Sequence, residues 1–281
     1  MFALPCKSLT SPDIRLVPGV DTFQVLNYLP CLCKHALCRT FSLLQLSKQQ
    51  KDYLRNPAHL FENNMFAVGH LSLGYLLSKG SAKLLRTEVN LPLVFLLSLI
   101  PDIDIVIPVL EHRTVTHSII VAIIVFLPLF MFYKTKAVPY FIALAQHAIV
   151  GDFLTGGTCG GGTQILWPLT SATYGLPINV VSITNIVIEW SSFLVAIAVM
   201  LRTRDLQKLL KGKLSTLSLF VPALTVLLPS FLHFPLSVPL MLLIPHLVYL
   251  AIFALATVTV FARLFDISCE RTVRKISKPN T

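Results

Sequence analysis

The chain has 281 residues, of which 54% are hydrophobic and only 13% are charged. An ordinary soluble domain carries about 25% charged residues, so this composition excludes a soluble globular protein. The net charge of +10 does not require a nucleic-acid partner, because the basic residues are placed as in membrane proteins. We therefore predict an all-α, polytopic transmembrane helix bundle that contacts the lipid bilayer and no nucleic acid.

Seven apolar stretches indicate membrane helices, each of which needs about 20 residues. They lie at 65–78, 91–110, 115–133, 138–154, 178–201, 214–233 and 239–264. The links after the first, third and fifth stretches and the tail after the seventh carry fifteen Lys and Arg residues, whereas the other three links carry only Arg113. The positive-inside rule then predicts an integral cell-membrane protein with a cytoplasmic C-terminus and extracytoplasmic even-numbered links.

Residues 1–64 differ from the rest because they are mixed in polarity. Their run "CLCKHALC" lacks the paired spacing of a zinc module, and the N-terminus shows no signal peptide. This extension is either an extramembrane arm with short amphipathic helices or lies upstream of a true start at Met65, and we favour the second. We divide the chain into this extension (1–64), a metal-site transmembrane domain with an outer loop (65–177), and accessory helices with a basic tail (178–281).

Ionisable side chains cost at least ~2.5–3.5 kcal/mol near the centre of a membrane, so each needs a physical reason. In the first four segments they all fall at the extracytoplasmic end, and they are His70, Asp102, Asp104, His112, His117, His147 and Asp152. Imidazoles and carboxylates together suit a divalent metal, most of all zinc or manganese, with iron also compatible. Seven ligands exceed the need of one tetrahedral zinc, so we predict one or two metal ions. Plain interhelical hydrogen bonding is the alternative, and it does not explain why all seven share one level.

The local sequence indicates how these residues are presented. Pro101 should kink the second helix so that both aspartates reach one site, and Thr114 should cap the third helix. Arg113 is either an interfacial anchor or a phosphate-binding group. Glu189 follows Asn185 by one turn, which favours a hydrogen-bonded helix pair. The remaining histidines have no carboxylate nearby and are interpreted as structural: His35, His59, His233 and His246.

The stretch 155–177 is uncharged and rich in glycine. It lacks the Gly-Lys-Ser/Thr ending of a phosphate-binding P-loop. We interpret it as a re-entrant or lid loop on the outer side, with Trp167 at the membrane interface.

The ordered motifs "GHLSLGY", "PDID" and "HRTVTHS", then a histidine followed by an aspartate and "LTGG…ILWP", resemble the membrane-bound metal-dependent hydrolase family. This family includes the LexA-regulated inner-membrane hydrolases of bacteria, and the resemblance covers about residues 65–170. It implies that the seven histidines and aspartates occupy the family's metal-site positions.

Two positions depart from the family pattern. Thr114 stands where the family usually has glycine, and His147 and Asp152 are five residues apart where the family usually has His-x3-Asp. Five residues turn a regular helix by ~500°, so the two side chains share a face only if a π-bulge or Gly151 redirects one of them.

We therefore predict a membrane-embedded metal-dependent hydrolase that acts on an ester or phosphoester of a lipid or lipid-linked substrate. The metal would activate water for the attack, Asp102 or Asp104 is a candidate base, and Arg113 is the third catalytic candidate. A metal-ion transporter or channel and a metal-stabilised structural membrane protein are the alternatives. The absence of a visible internal repeat, and the few polar residues (Ser78 and Ser98) inward of the site, disfavour transport.

Overall fold

The computed structural model describes residues 65–107, 112–155, 162–232 and 238–276. Within these ranges the chain is helical and contains no β-strand, which confirms the all-α prediction. The extension 1–64 lies outside the described residues. The division at residue 177 stays a prediction.

Turns join most of the helices, and a longer stretch of chain separates Thr155 from Ile183. The α-helices of the described residues are α1 (Ala67–Leu84), α2 (Leu91–Leu99), α3 (Ile119–Tyr133), α4 (Val138–Gln146), α5 (Phe153–Thr155), α6 (Ile183–Arg202), α7 (Asp205–Leu210), α8 (Phe220–Pro222), α9 (Pro229–Leu232) and α10 (Leu243–Ile276). Between them lie 3₁₀ turns at Ile100–Val106, Val115–His117, Lys134–Ala137, Leu214–Leu219 and Leu240–Leu242, and π-turns at His147–Asp152 and Ala223–Leu227. Each of the seven predicted segments coincides with one of these helical stretches over its described residues.

Four stretches of the described residues are long and apolar enough to cross a membrane: Ile119–Thr155, Ile183–Arg202, Leu214–Phe231 and Leu240–Phe265. The first contains the third and fourth predicted segments, which meet at the turn Lys134–Ala137. Helix α3 buries only Ala122 and Phe126, and most of its other apolar side chains are exposed. A helix that is apolar all round and largely uncovered fits a lipid environment.

Helix α1 lies at the centre of the bundle, with ten of its eighteen residues buried. It packs against α2, α4 and α6. Gly74 permits the close approach to α2, because a side chain there would collide with Ser98. The helix that carries His70 is therefore held directly against the helix that leads to the two aspartates.

Aromatic rings form the centre of the core on the inward side of His70. Phe95 of α2 contacts Tyr75 of α1 with ring centroids 5.8 Å apart, and Phe253 of α10 at 5.3 Å. Phe193 of α6 contacts Tyr249 of α10 at 5.6 Å. Helices of the C-terminal part thus pack directly against the helices that carry the metal-site candidates.

The start of α3 differs from the expectation that Thr114 caps it. Ser118 is the capping residue, because its hydroxyl accepts hydrogen bonds from the backbone N–H groups of Ile120 and Val121. Thr114 precedes the 3₁₀ turn Val115–His117 and makes no side-chain cap there. The prediction was wrong by one turn because the 3₁₀ turn separates the histidine motif from the helix.

Candidate metal centre

The π-turn at His147–Asp152 brings the most widely spaced pair of candidates together. Its i→i+5 hydrogen bonding places residues five apart on nearly the same side of the helix, where a regular α-helix would separate them. His147 Nε2 consequently lies 3.7 Å from an Asp152 carboxylate oxygen. The sequence predicted that these two side chains share a face only if a π-bulge or Gly151 redirects one of them, and the structure has this π-turn.

The 3₁₀ turn Ile100–Val106 presents both aspartates of the second segment. Residues two apart point about 160° apart in an α-helix, whereas in a 3₁₀-helix the angle falls to about 120°. Asp102 Oδ1 then lies 3.8 Å from His117 Nε2, and Asp104 Oδ2 lies 3.4 Å from His117 Nδ1. One imidazole therefore has an aspartate at each of its nitrogens.

The hydrogen bond of His147 to the backbone fixes which of its nitrogens carries hydrogen. Its Nδ1 lies 2.7 Å from the carbonyl oxygen of Ser98, and a carbonyl only accepts, so Nδ1 is the donor. Nε2 then offers its lone pair 3.1 Å from Asp102 Oδ1. Two acceptors at this distance repel unless a proton or a cation lies between them. Metal-ligating histidines commonly have their second nitrogen bound to a carbonyl in this way.

Asp152 faces three histidines at the centre of the cluster. Its carboxylate oxygens lie 3.0 Å from His117 Nε2 and 3.5 Å from His70 Nε2, in addition to the contact with His147. Both oxygens, both ring nitrogens of His70 and Nε2 of His117 are buried and make no hydrogen bond. Buried polar atoms without hydrogen-bond partners are rare in native proteins, and an ion is one standard reason for them.

His70 completes the inner side of the cluster. Its ring stacks on that of His147 with centroids 3.7 Å apart and planes 10° from parallel. Gly151 makes room for it, because a side chain at that position would collide with the imidazole. The backbone carbonyl of His70 accepts a hydrogen bond from the Gln146 side chain at 3.1 Å.

Asp104 differs from the other candidates because its oxygens are already engaged. Oδ1 lies 2.7 Å from His112 Nδ1, and Oδ2 accepts a hydrogen bond from the Thr116 hydroxyl. A carboxylate that binds Nδ1 of a histidine orients Nε2 for coordination. The geometry thus makes Asp104 an orienting residue for His112 and His117, with Asp102 nearer to the shared centre.

The donor atoms form three overlapping groups, each with its atoms within 4.8 Å of one another. The groups are His70–Asp102–His147, Asp102–His112–His117 and His117–His147–Asp152. Ligands of one zinc ion lie ~2.0–2.2 Å from it, so any two of them are at most ~4.4 Å apart, and the five ion-pair distances around Asp102 and Asp152 range from 3.0 to 3.8 Å. The residues therefore fit a divalent metal, and the sharing of ligands between groups fits two neighbouring ions.

Arg113 is buried beside this cluster in a left-handed backbone conformation with φ of 66°. Burial lowers the pKa of its guanidinium, and the negative charges of Asp152, Asp102 and Asp104 oppose that effect. Its carbonyl accepts a hydrogen bond at 3.0 Å from the backbone N–H of Gln164. A cation thus stands beside the three carboxylates at the edge of the site.

The described part of the predicted outer loop packs next to the site. The Ser118 hydroxyl donates to the carbonyl of Trp167, and the N–H of Ile119 donates to the carbonyl of Ile165. Leu176 N–H donates to the carbonyl of Phe153, just after the π-turn. The loop from residue 162 onward is therefore anchored on both sides of the cluster, and its role as a lid stays a prediction.

Glu189 of α6 lies outside the cluster but holds the start of α1. Its carboxylate accepts hydrogen bonds from the backbone N–H groups of Phe66 at 2.8 Å and Gly69 at 3.2 Å. Asn185 donates to the same carboxylate at 3.1 Å, so the expected pairing with Asn185 is present. The link to α1 was not predicted, and neither were the supporting contacts of Ser98, Thr116 and Gln146.

The other histidines stand apart from the cluster where the structure describes them. His246 is buried and its Nδ1 donates to the carbonyl of Leu242. The histidines His35, His59 and His233 lie outside the described residues.

Residues 65–263 match the family model described as YdjM inner membrane protein. No curated protein and no solved structure matches the chain.

Proposed function

Because the chain belongs to the YdjM inner membrane protein family, and its described part contains a buried histidine–aspartate cluster, we propose that it is a membrane-embedded metal-dependent hydrolase. Its substrate is an ester or phosphoester of a lipid or a lipid-linked molecule.

The observation that carries the proposal is the sharing of donors among the three groups. Asp102, His117 and His147 each belong to two groups, which is the arrangement expected where two ions share ligands. Two ions a few ångströms apart are typical of phosphatases and nucleases, where they stabilise the attacking and leaving oxygens. A structural metal site needs only four ligands.

We assign the roles from the contacts of each side chain. The ligands are His70, Asp102, His112, His117, His147 and Asp152. Asp104 orients two of the histidines, and Arg113 binds a phosphoryl oxygen of the substrate, since its planar guanidinium matches phosphate geometry. A divalent ion held here would polarise the phosphoryl group and lower the pKa of a bound water.

The packing inward of the cluster supports hydrolysis over metal transport. Lys79 lies nine residues after His70 on α1, about 14 Å along the axis. Tyr75, Phe95 and Leu99 lie in the layer between them with at most 1% exposure. The hydroxyls of Ser72 and Tyr249 in this layer are hydrogen-bonded to each other. A transit path for a cation would need polar side chains across this layer.

The distribution of charge supports an extracytoplasmic site. The cluster lies near the start of α1, whereas Lys79 of the same helix reaches Asp205 at the other end of the bundle. The basic links mark that other end as cytoplasmic by the positive-inside rule. The substrate is therefore taken from the extracytoplasmic leaflet.

The first test is the metal content of the purified full chain. We expect up to two equivalents of zinc or manganese after loading, and His117→Ala should lose most of this metal because His117 serves two groups. His246→Ala is the matched control, since it removes a buried histidine outside the cluster. Equal metal content in the two variants would contradict the metal site.

The second test is hydrolysis by the metal-loaded protein. The metal-loaded protein should hydrolyse bis(p-nitrophenyl) phosphate and the phosphatidic acid of vesicles. Chelation of the metal, or the variant Asp102→Asn, should abolish this hydrolysis. Arg113→Gln should keep its metal yet hydrolyse phosphoesters about 100-fold more slowly, the usual effect of removing one group that stabilises transition-state charge. Metal uptake into proteoliposomes without hydrolysis would favour the transporter instead.

A further inference from the structure

A second concave site lies at the end of the bundle opposite to the metal centre. It is a cavity of about 1050 Å³, near the upper end of the range for small-molecule sites. The end of α1, the link that follows it, the end of α6, and α7 surround it. None of the metal-site candidates lines it.

The charge of this cavity is unbalanced in favour of cations. Its walls carry five basic residues (Lys79, Lys83, Arg202, Lys208 and Lys213) and two acidic ones, Glu88 and Asp205. Net positive walls in a partly enclosed space concentrate anions.

Asp205 forms ion pairs with two of the five basic residues. It is 1% exposed and lies 2.6 Å from Lys79 Nζ and 3.0 Å from Lys208 Nζ, and it also accepts a hydrogen bond from Tyr75. Burial raises the pKa of Asp205, but the two lysines and the tyrosine together lower it by more. The net pKa of Asp205 therefore lies below its ordinary value. Asp205 therefore stays ionised and fixes Lys79 and Lys208 in place.

The other three cations have no such partner among the described ion pairs. Lys83, Arg202 and Lys213 are exposed, and only Asp205 forms an ion pair in the described walls of this cavity. They come from three different elements and face a common space. A multiply charged oxyanion such as a phosphate is the chemistry that three converging cations bind.

The remaining walls combine uncharged polar residues with an apolar part, and they lie at the membrane boundary. Leu76, Leu91, Val199 and Leu209 line the cavity beside the cations. Arg202 ends the apolar helix α6, which places the cations at headgroup level. Basic pockets between membrane helices bind the headgroups of anionic lipids, and the apolar walls suit the start of an acyl chain.

We infer that this cavity binds the phosphate-bearing headgroup of an anionic phospholipid from the leaflet on the basic side of the protein. The ligand chemistry is a phosphate monoanion or dianion next to an apolar chain. This binding site is independent of the hydrolase proposal, because its residues take no part in the metal centre.

The test measures ligand-induced thermal stabilisation of the detergent-purified full chain. Dihexanoyl phosphatidylglycerol should raise Tm in a saturable manner, whereas dihexanoyl phosphatidylcholine should not. The triple variant Lys83→Gln, Arg202→Gln, Lys213→Gln should bind about 100-fold more weakly, since each basic residue contributes roughly a factor of five to the binding of an anionic headgroup. All three positions are exposed, so the variant should keep the unliganded Tm.

The matched control removes three basic residues outside the cavity walls: Lys134→Gln, Lys136→Gln, Lys211→Gln. It has the same net charge as the first variant and should bind like the unchanged chain. Inorganic phosphate alone, added in a separate arm, should shift Tm little if a lipid is the ligand, and should reproduce the shift if the source is a free phosphate. Equal loss in both triple variants, or no shift with any phosphate compound, would overturn the inference.

Discussion

Gly151 shows how a single residue without a side chain supports the histidine–aspartate cluster. A Cβ atom there would lie within collision distance of the His70 ring, which itself stacks on His147. The stacked imidazole of His147 limits how far the His70 ring can move away. The position therefore requires glycine for space, in the middle of the π-turn.

We predict that Gly151→Ala weakens metal binding by about 10- to 100-fold, the usual cost of disturbing a residue that supports a ligand. The measurement is a competition titration of the purified protein with a chromogenic zinc chelator. Gly80→Ala is the matched control, because Gly80 is also helical and a Cβ there would meet nothing within 4 Å. It should keep the affinity and gain up to ~1 kcal/mol of helix stability. Equal affinities in the two variants would contradict the role of Gly151.

The sequence identified the ligand candidates but not their supporting contacts. Ionisable residues are so costly at membrane depth that seven of them at one level already indicate a site. The acceptor that binds His147 is the backbone carbonyl of Ser98. Every residue has such a carbonyl, so the sequence alone cannot predict this contact. The sequence also could not predict the role of Asp104. An aspartate that binds a metal and one that orients a histidine differ only in the distances of their carboxylate oxygens to neighbouring groups.

At the scale of the element, α1 begins without a capping side chain of its own. The side chain of Phe66 at its N-cap cannot accept a hydrogen bond. Its backbone carbonyl accepts from the N–H of Gly69 at 2.9 Å, but the N–H of Phe66 itself needs an acceptor from elsewhere. Glu189 of α6 supplies it and also accepts from the Gly69 N–H, so that its carboxyl oxygens lie at the positive end of the helix dipole. His70 follows Gly69 directly, so a helix of the C-terminal part fixes the start of the helix that carries a metal-site candidate.

We predict that Glu189→Ala destabilises the protein by about 1–3 kcal/mol, because the N–H of Phe66 loses its acceptor, whereas the N–H of Gly69 keeps the Phe66 carbonyl at 2.9 Å. Glu189→Gln should have a smaller effect, because its amide oxygen still accepts one of the two hydrogen bonds. Tm in detergent and zinc affinity should fall together along this series, since the start of α1 positions His70. Ser192→Ala, one turn later on the same helix face, is the control and should change both values little. If Glu189→Ala had the same Tm as Ser192→Ala, Glu189 would not stabilise the start of α1.

Helix boundaries were predictable only where hydropathy changes sharply. All seven segments have helical counterparts, because long apolar runs permit little else in a bilayer. The 3₁₀ turns before and after the second link were missed, which is why Thr114 was assigned a capping role that Ser118 has. A local turn of three residues has no periodic signal of its own.

At the scale of the whole molecule, the histidine–aspartate cluster lies near the start of α1, whereas Lys79 and Lys83 lie near its end. The positive-inside rule then predicts that the loop 162–177 is extracytoplasmic and that the turn Lys134–Ala137 is cytoplasmic. Ser171 and Lys136 are both exposed and report on the two sides.

We predict that, in a variant whose six native cysteines are serine, Ser171→Cys reacts with a membrane-impermeant maleimide in intact cells. Lys136→Cys should react only after the cells are permeabilised. The reverse pattern would move the metal centre to the cytoplasmic side and the anionic-lipid cavity to the outer leaflet. It would leave the metal content of the protein unchanged, so topology and metal binding are tested separately.

The π-turn at His147–Asp152 also has a consequence for how this chain tolerates changes in length. An extra residue in a regular helix rotates everything after it by about 100°, which would carry Asp152 away from the histidines. The wider π-turn accommodates the extra residue, so that α4 before it and α5 after it keep the same relative rotation about the helix axis. Deleting Ile149 should restore a regular helix with the His-x3-Asp spacing and the same two side chains on one face. Relatives that differ by one residue at this point can therefore share an identical centre, and a gap in their alignment here marks no change of chemistry.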